Sequence, residues 1–218
     1  GTQYHGFQRQ KEKHSVQAEF EAALRALGWL GRAVMPAGRT DSGVHARGQV
    51  ISFSLDWKHG TDKLVTALNA HLPEDIAVQA AEEAPLAFHP RYDALSRTYR
   101  YQLYAQSARD PLVDRFSWRL DTMPDLERMN RAAEALQGEH DFRAFGKALK
   151  EDATTVRRIF AAGWAGGSTE AAFTICGNAF LYHMVRRMVF LQVLVGQQRL
   201  SPGDLREAVE AARPTVPG

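Results

Sequence analysis

Thr98-Tyr99-Arg100-Tyr101-Gln102-Leu103-Tyr104 is the clearest strand pattern in the chain. Successive side chains of a β-strand point to opposite faces, so Tyr99, Tyr101 and Leu103 should share one face, opposite the arginine and the glutamine. One face would then pack on a core while the other stays polar, which is typical of an antiparallel sheet. The stretch therefore predicts a strand that is covered on one side.

Other stretches predict the elements around this strand. Val50–Leu55 alternates in the same way, and Arg158–Trp164 with Ala171–Cys176 indicates a hairpin closed by Gly166-Gly167. Apolar side chains at helical spacing predict five helices. The first helix begins at a Ser15 cap and ends near Gly28, and the second runs from a Thr61 cap to Leu72, before Pro73. The third follows the apolar stripe Leu126–Leu136 and ends at Gly138, and the fourth spans Phe180–Val195. The fifth starts at the capping sequence Ser201-Pro202-Gly203-Asp204.

The order of these elements, a helix and then strands in each half of the chain, predicts an α+β protein. We expect two related lobes, residues 1–104 and 105–218, that share a mostly antiparallel sheet. The polar stretch Ala105–Asp114 would join the two lobes. Together they would form one continuous domain.

The composition is that of an ordinary globular protein. Of the 218 residues, 44% are hydrophobic and 24% are charged, with a formal net charge of +2. The single cysteine, Cys176, excludes an intrachain disulfide and a cysteine-based zinc site, and it fits a reducing, cytoplasmic setting. No apolar run reaches the roughly 18 residues that a membrane span requires. Composition alone therefore leaves the function open.

The segment Gly38-Arg39-Thr40-Asp41-Ser42-Gly43-Val44-His45-Ala46 differs from its surroundings, because it places charged and hydroxyl side chains between two glycines. In an extended stretch Arg39 and Asp41 point to the same side. An ionised Asp41 could act as a nucleophile, a base or a stabiliser of an oxocarbenium-like sugar centre. An ordinary surface turn, in which Asp41 bonds backbone amides and Arg39 forms an ion pair, explains the same residues.

Two other kinds of site fit this segment less well. A retaining glycosidase requires a second carboxylate about 5 Å from the first, and the segment contains one acid. A metal site would need further ligands beside His45 and Asp41, and no spaced cluster of histidine, cysteine or aspartate follows. The residue types alone do not decide between the remaining possibilities.

Seven collinear motifs resemble those of the TruA family of tRNA pseudouridine synthases. The Gly38–Ala46 segment is similar to the family signature G-R-T-D-[AS]-G-V-H-A, and the other motifs follow the family in order and spacing over nearly the whole chain. They are Gly1–Gln8, Leu68–Ile76, Phe88–Ala94, Arg97–Tyr101, Asp141–Phe145 and Gly177–Arg186. The resemblance implies the pseudouridine synthase fold, with ferredoxin-like or RRM-like lobes and helices on one face of the sheet.

The resemblance also implies an activity and the residues that carry it. The family isomerises uridine to pseudouridine without a cofactor or a metal: the N1–C1′ bond breaks, the uracil turns, and C5 rejoins C1′. Asp41 matches the essential carboxylate, and Arg186 matches the arginine that pairs with it. Tyr99 matches the active-site tyrosine, whose ring can stack on the uracil and whose hydroxyl is a candidate for the final proton transfer from C5. Arg39 resembles the residue that holds the substrate open once the target base is flipped out.

Further basic residues are candidates for contacts with RNA phosphates, at positions that carry no sequence information. For His45 a structural hydrogen bond is an equal possibility. We expect Phe142 and Phe145 to be core residues rather than base-stacking ones. The candidates for RNA contacts are His45, Arg47, Arg97, Arg100, Arg187, Lys147, Lys150, Arg157 and Arg158.

From the resemblance we expect the anticodon stem-loop of tRNA, around tRNA positions 38 to 40, as substrate and a homodimer as the assembly. Family members have one strand ahead of the Gly-Thr opening and another at their C-terminal end, and we attribute the absence of both to truncation of the sequence. A non-catalytic RNA-binding module with ferredoxin-like lobes is the alternative. A hydrolase would need Asp93 or Asp141 within about 6 Å of Asp41.

Overall fold

The computed structural model describes residues 1–148 and 153–213, so Lys150 lies outside the described residues. The chain divides into two compact units, Gly1–Ala94 and Leu95–Gly218. This division falls ahead of the strand that contains Tyr99, whereas the first predicted lobe, residues 1–104, ends after that strand. The assignment of two related lobes stays a prediction.

The first unit packs two helices and a short ladder around one core. Its elements are α1 (Val16–Ala26), β1 (Met35–Pro36), β2 (Ile51–Ser52) and α2 (Thr61–His71), and β1 pairs antiparallel with β2. Phe20 and Leu24 of α1 and Leu64 and Leu68 of α2 are buried together. The apolar stripes that predicted both helices therefore face one core.

The strand predicted at Val50–Leu55 is shorter than expected, although its alternation is real. Ile51, Phe53 and Leu55 all pack against the core of the first unit, but the ladder covers Ile51–Ser52 alone. The register would next pair Val34 with Phe53. That pair would be non-hydrogen-bonded, since the amide of Ala37 donates to the carbonyl of Val50 in the same register; the amide of Val34 therefore points away from β2 and donates to Oε1 of Glu21, 3.1 Å away.

The N-terminus of α1 is capped differently from the prediction. Ser15 occupies the N-cap position, but its buried hydroxyl has no hydrogen-bond partner among the described residues. The amides of Val16 and Gln17 donate to the carbonyls of Gly6 (3.3 Å) and Phe7 (2.9 Å). Backbone from the start of the chain therefore satisfies donors that a helix leaves unpaired.

The elements of the second unit are β3 (Arg97–Ala105), β4 (Ser117–Leu120), α3 (Leu126–Glu134), β5 (Gly138–Asp141), β6 (Val156–Gly166), β7 (Glu170–Gly177), α4 (Met184–Gly196) and α5 (Pro202–Glu210). In the described part of the chain its strands form a mixed five-stranded sheet with the order β4-β3-β7-β6-β5. β3 runs parallel to β4 and antiparallel to β7, and the other two pairs are antiparallel. The predicted α+β class and the hairpin around Gly166-Gly167 are confirmed.

Helix boundaries in the second unit confirm one prediction and correct two. Ser201 and Asp204 form the predicted capping box at the start of α5. α3 ends at Glu134, short of Gly138, which opens β5. α4 begins at Met184 rather than Phe180, because the amide of Tyr182 bonds the carbonyl of Lys147 (3.1 Å) and His183 has a left-handed backbone with φ of 60°.

The core of the second unit lies between the sheet and its helices. Phe142 and Phe145 are completely buried, which confirms them as core residues. Phe173 and Ile175 of β7 pack into the same core as Met188 of α4. Within the described residues no helix is long and apolar enough to cross a membrane.

Candidate active site and RNA-contacting residues

The segment Gly38–Ala46, called here the Asp41 loop, connects β1 to the approach of β2 and contains a tight turn. The amide of Val44 donates to the carbonyl of Asp41 at 3.1 Å, and Gly43 adopts a φ of 78° inside the turn. Such a φ is unfavourable for residues other than glycine. The side-chain amide of Gln49 donates to the carbonyl of Gly38 at 2.8 Å and fixes the base of the loop.

Asp41 is half-buried, and the other candidates in its loop face solvent more fully. Arg39, His45 and Arg47 are exposed. The Nδ1 atom of His45 lies 3.4 Å from the backbone nitrogen of Gly1. In sequence, the partly shielded carboxylate of Asp41 thus lies between Arg39, inside the loop, and Arg47, directly after it.

The first motif of the chain lies against the Asp41 loop. The amide of Phe7 donates to the carbonyl of Thr40 at 3.0 Å, and the hydroxyl of Ser42 lies 3.4 Å from the carbonyl of Tyr4. Both residues next to Asp41 are therefore contacted by the Gly1–Arg9 segment. No local pattern in the sequence predicts this contact, because the two segments are far apart in the chain.

In the second unit, Tyr99 occupies the face of β3 that the sequence predicted. Tyr99 is half-buried, like Tyr101 two residues on, whereas Arg100 is exposed on the other face. The Tyr99 ring meets Phe180 edge to face, with ring centroids 4.9 Å apart. Phe180 belongs to the Gly177–Arg186 motif but was expected in a helix, so its contact with Tyr99 was missed.

Arg186 is exposed in the first turn of α4, so it does not bear the burial cost expected for a charge in an apolar helix. Its charge acts on Tyr101: burial raises the pKa of the Tyr101 hydroxyl, and Arg186 opposes that rise. Arg187 is half-buried, and its Nη1 atom lies 3.4 Å from the carbonyl of Ala144. Neighbouring arginines thus have different surroundings.

A row of aromatic side chains that was not predicted extends from Tyr101. Its ring meets Trp118 of β4 edge to face at 6.5 Å, and Trp118 stacks on Phe190 at 6.4 Å. Phe190 is 44% exposed and lies four residues after Arg186, on the same side of α4. That spacing was the available signal, but the apolar character of the helix concealed it.

The remaining basic candidates lie on the strands of the second unit or beside them. Arg97 donates to the carbonyl of Asn178 at 2.7 Å. Arg157 is half-buried and bonds the carbonyls of Thr154 and Val156, and burial lowers the pKa of its guanidinium. Arg158 is exposed, with its guanidinium 6.0 Å from the Phe160 ring, and Lys147 is exposed as well. Arg157 is therefore the least available of these groups for a phosphate.

The two acids that a hydrolase would require have local structural partners. Asp93 accepts a hydrogen bond from the amide of His89 at 2.8 Å. Asp141 accepts from Arg143 and from the hydroxyl of Thr155, and the bond from Arg143 holds the pKa of this carboxyl below its usual value. Among the described residues, no group of three or more histidine, cysteine, aspartate or glutamate side chains could hold a metal ion.

Comparison with known proteins identifies the family of this chain as a pseudouridine synthase family. The sequence profile described as tRNA pseudouridine synthase matches residues 1–93 and 132–217, and this chain belongs to that family. The predicted TruA membership is confirmed, and with it an isomerase that acts on uridine in tRNA.

Three similar proteins share the name tRNA pseudouridine synthase A. The protein named tRNA pseudouridine synthase A from Moorella thermoacetica is 42% identical, over 100% of this chain and 91% of its own length. The protein of that name from Caldicellulosiruptor bescii is 37% identical over 100% and 89%. That from Geotalea uraniireducens is 41% identical over 93% and 83%. The likeness therefore extends over both units.

Proposed function

We propose that this isomerase converts uridines of the tRNA anticodon stem-loop, around tRNA positions 38 to 40, and that Asp41 is its catalytic carboxylate. The observation that carries the proposal is the half-buried position of Asp41 in a turn that is hydrogen-bonded on both sides. Such bonds hold a reacting group in place. The match between this loop and the family signature supports the same residue.

The chemistry explains why one carboxylate suffices. The N1–C1′ bond breaks, a C5–C1′ bond forms, the proton on C5 is removed, and N1 takes up a proton. The reaction has no departing alcohol to protonate and no water to activate, so it does not require the second catalytic acid of a glycosidase. Asp41 either attacks C1′ as a nucleophile or removes the proton from C2′. Both roles use the ionised carboxylate.

Tyr99, Arg186 and Arg39 are proposed to bind the substrate. The edge-to-face contact with Phe180 fixes the Tyr99 ring, which suits stacking on a flipped uracil. The exposed Arg186 guanidinium and the exposed Arg39 guanidinium are each available to an anionic or polar group of the RNA. The Tyr99 hydroxyl is the proposed acceptor of the C5 proton.

The proposed RNA surface consists of basic side chains that bind phosphates irrespective of sequence. Among its arginines, Arg47 and Arg100 are exposed, whereas Arg97 and Arg187 are half-buried. We propose a cytoplasmic enzyme that works as a homodimer. The surface also includes His45, Arg97 and Arg187.

An Asp41→Asn enzyme tests the function. Pseudouridine formation releases the hydrogen of C5, so tritium release from transcripts labelled at C5 of uridine measures turnover. We expect turnover to disappear, while filter binding of tRNA stays within about threefold of wild type, because asparagine keeps the shape of the loop. Asp56→Asn is the matched control, since Asp56 is an exposed aspartate of the same unit, and it should leave both properties unchanged.

Each outcome of this experiment decides one point. Normal turnover in Asp41→Asn would refute the catalytic assignment. A wild-type chain that binds tRNA but never releases tritium would favour the alternative, a non-catalytic RNA-binding module. Mapping the modified uridines in wild-type product then tests the anticodon stem-loop assignment, which modification elsewhere in the tRNA would contradict.

A further inference from the structure

The chain segment before α1, Gly1–Arg9, is called here the opening segment, and it contacts the Asp41 loop on both sides of Asp41. Phe7 bonds the carbonyl of Thr40, and Ser42 bonds the carbonyl of Tyr4. Gly6 has a φ of 85°, and a Cβ at this position would lie 2.5 Å from the carbonyl oxygen of Thr40. The backbone of the opening segment therefore approaches both peptides that flank Asp41.

Tyr4 anchors the opening segment at one end. Its side chain is 3% exposed, and its hydroxyl donates to Oδ1 of Asp75 at 2.5 Å. Burial and the bond to Asp75 both raise the pKa of Tyr4, so the hydroxyl keeps its proton and remains the donor at neutral pH. The ring also meets His14, with centroids 4.6 Å apart.

Glu21 anchors the other end of the opening segment. Its carboxylate is completely buried and accepts a hydrogen bond from Nη1 of Arg9 at 2.5 Å. The same carboxylate accepts hydrogen bonds from the side-chain amide of Gln17 at 2.8 Å and from the backbone amide of Val34 at 3.1 Å. Val34 directly precedes β1, which leads into the Asp41 loop, so one buried acid joins the opening segment to the stem of that loop.

We propose that Tyr4, held by Asp75, is a positioning residue for Asp41: it fixes the opening segment against the Asp41 loop and so sets the place of the carboxylate. This proposal rests on the proposed function for the identity of the carboxylate. The Tyr4–Asp75 bond suits the role, since it ties the opening segment to the chain after α2, outside the loop itself. Losing the hydroxyl leaves the ring in the core and removes only the tether.

Steady-state kinetics with labelled tRNA provides the first test. We expect Tyr4→Phe and Asp75→Ala each to lower kcat about tenfold and to leave KM within twofold, because displacement of a reacting group slows chemistry more than it weakens RNA binding. The double variant should be no slower than the slower single variant, since both changes break the same bond. If the kcat losses of the two single variants simply multiply in the double variant, the proposed tether between Tyr4 and Asp75 is refuted.

Tyr104→Phe is the matched control. Tyr104 is also buried, and its hydroxyl also donates to an aspartate, Asp114, at 2.8 Å in the second unit. Its removal should lower thermal stability by a similar amount and leave kcat unchanged. Equal losses of kcat in Tyr4→Phe and Tyr104→Phe would reduce the role of Tyr4 to general stability and refute the proposal.

Hydrogen exchange of the Asp41 loop provides a readout that does not depend on activity. The amide of Val44 is bonded within the loop, and loosening the loop should expose it to exchange. Peptides that cover residues 38–46 should exchange faster in Tyr4→Phe and normally in Tyr104→Phe. Unchanged exchange in Tyr4→Phe overturns the positioning role even where Asp41→Asn has established the catalytic one. If exchange is faster in Tyr4→Phe but Asp41→Asn turns over normally, the proposed catalytic role of Asp41 is refuted, while the contact between the opening segment and the loop stands.

Discussion

Replacing Gly6 by alanine moves the carbonyl of Thr40, which belongs to the residue before Asp41. The added Cβ would lie 2.5 Å from that oxygen. Ordinary C···O contacts lie at about 3.3–3.6 Å, so one of the two segments must shift by about 0.8–1.1 Å. The opening segment cannot withdraw easily, because the carbonyl of Gly6 also accepts the amide of Val16 at the start of α1. We therefore expect the Asp41 loop to move.

The expected loss in turnover follows from that displacement. A misplacement of about 1 Å in a reacting group costs about 100-fold in rate, which corresponds to about 2.7 kcal/mol in the activation free energy. The left-handed backbone at Gly6, with φ of 85°, adds about 1–2 kcal/mol to the free-energy cost of folding with alanine. Overpacking adds about 1–3 kcal/mol.

Gly28→Ala separates the clash from the backbone strain. Gly28 has a similar φ of 89°, and apart from its immediate chain neighbours no described atom lies within 4 Å of a Cβ built there. This control should lose about 1–2 kcal/mol of stability from strain alone and keep normal turnover. Both variants are compared by urea unfolding and by tritium release per folded molecule. Turnover of Gly6→Ala within threefold of wild type would refute the dependence of Asp41 on the opening segment.

Two further predictions concern the second unit. Tyr99→Phe keeps the ring that contacts Phe180 and removes the hydroxyl, so we expect single-turnover rates to fall about 100-fold or more with tRNA affinity unchanged; a wild-type rate would leave Tyr99 as a stacking residue only. The bond from Arg143 lowers the pKa of Asp141, so its contribution to stability is complete above about pH 4 and is lost as the pH falls through the folded pKa. In urea unfolding, the stability gap between wild type and Asp141→Asn should therefore shrink below about pH 4, and a gap independent of pH would contradict this account.

Local sequence patterns predicted elements whose hydrogen bonds are local or follow simple strand alternation. β3 matches its prediction closely, because the alternation from Tyr99 to Leu103 reflects one covered face. The start of α5 matches because both partners of its capping box, Ser201 and Asp204, lie within four residues. Apolar spacing likewise located the helix cores in both units, although it placed some of their ends wrongly.

The incorrect boundaries arise from contacts between distant parts of the chain. Periodicity extended α4 back to Phe180, but the carbonyl of Lys147 takes the amide of Tyr182 and holds it outside the helix. Alternation extended β2 to Leu55, but the ladder between β1 and β2 ends at the Met35–Ser52 pair, and the alternation of one strand does not show where its partner ends. Neither boundary depends on local sequence alone, so propensity could not have predicted them.

The candidate site shows the same dependence on distant contacts at its most important residue. The sequence identifies Asp41 by its motif, but a motif does not explain how a carboxylate on a loop keeps a fixed position. Catalytic groups on loops are held less accurately than those on helices and strands unless other residues support them. Here the support comes from backbone bonds at Thr40 and Ser42 and from the Tyr4 and Glu21 anchors behind them. Because the same backbone also caps α1 through Gly6, the position of Asp41 and the start of that helix are coupled, and a change that loosens one should loosen the other.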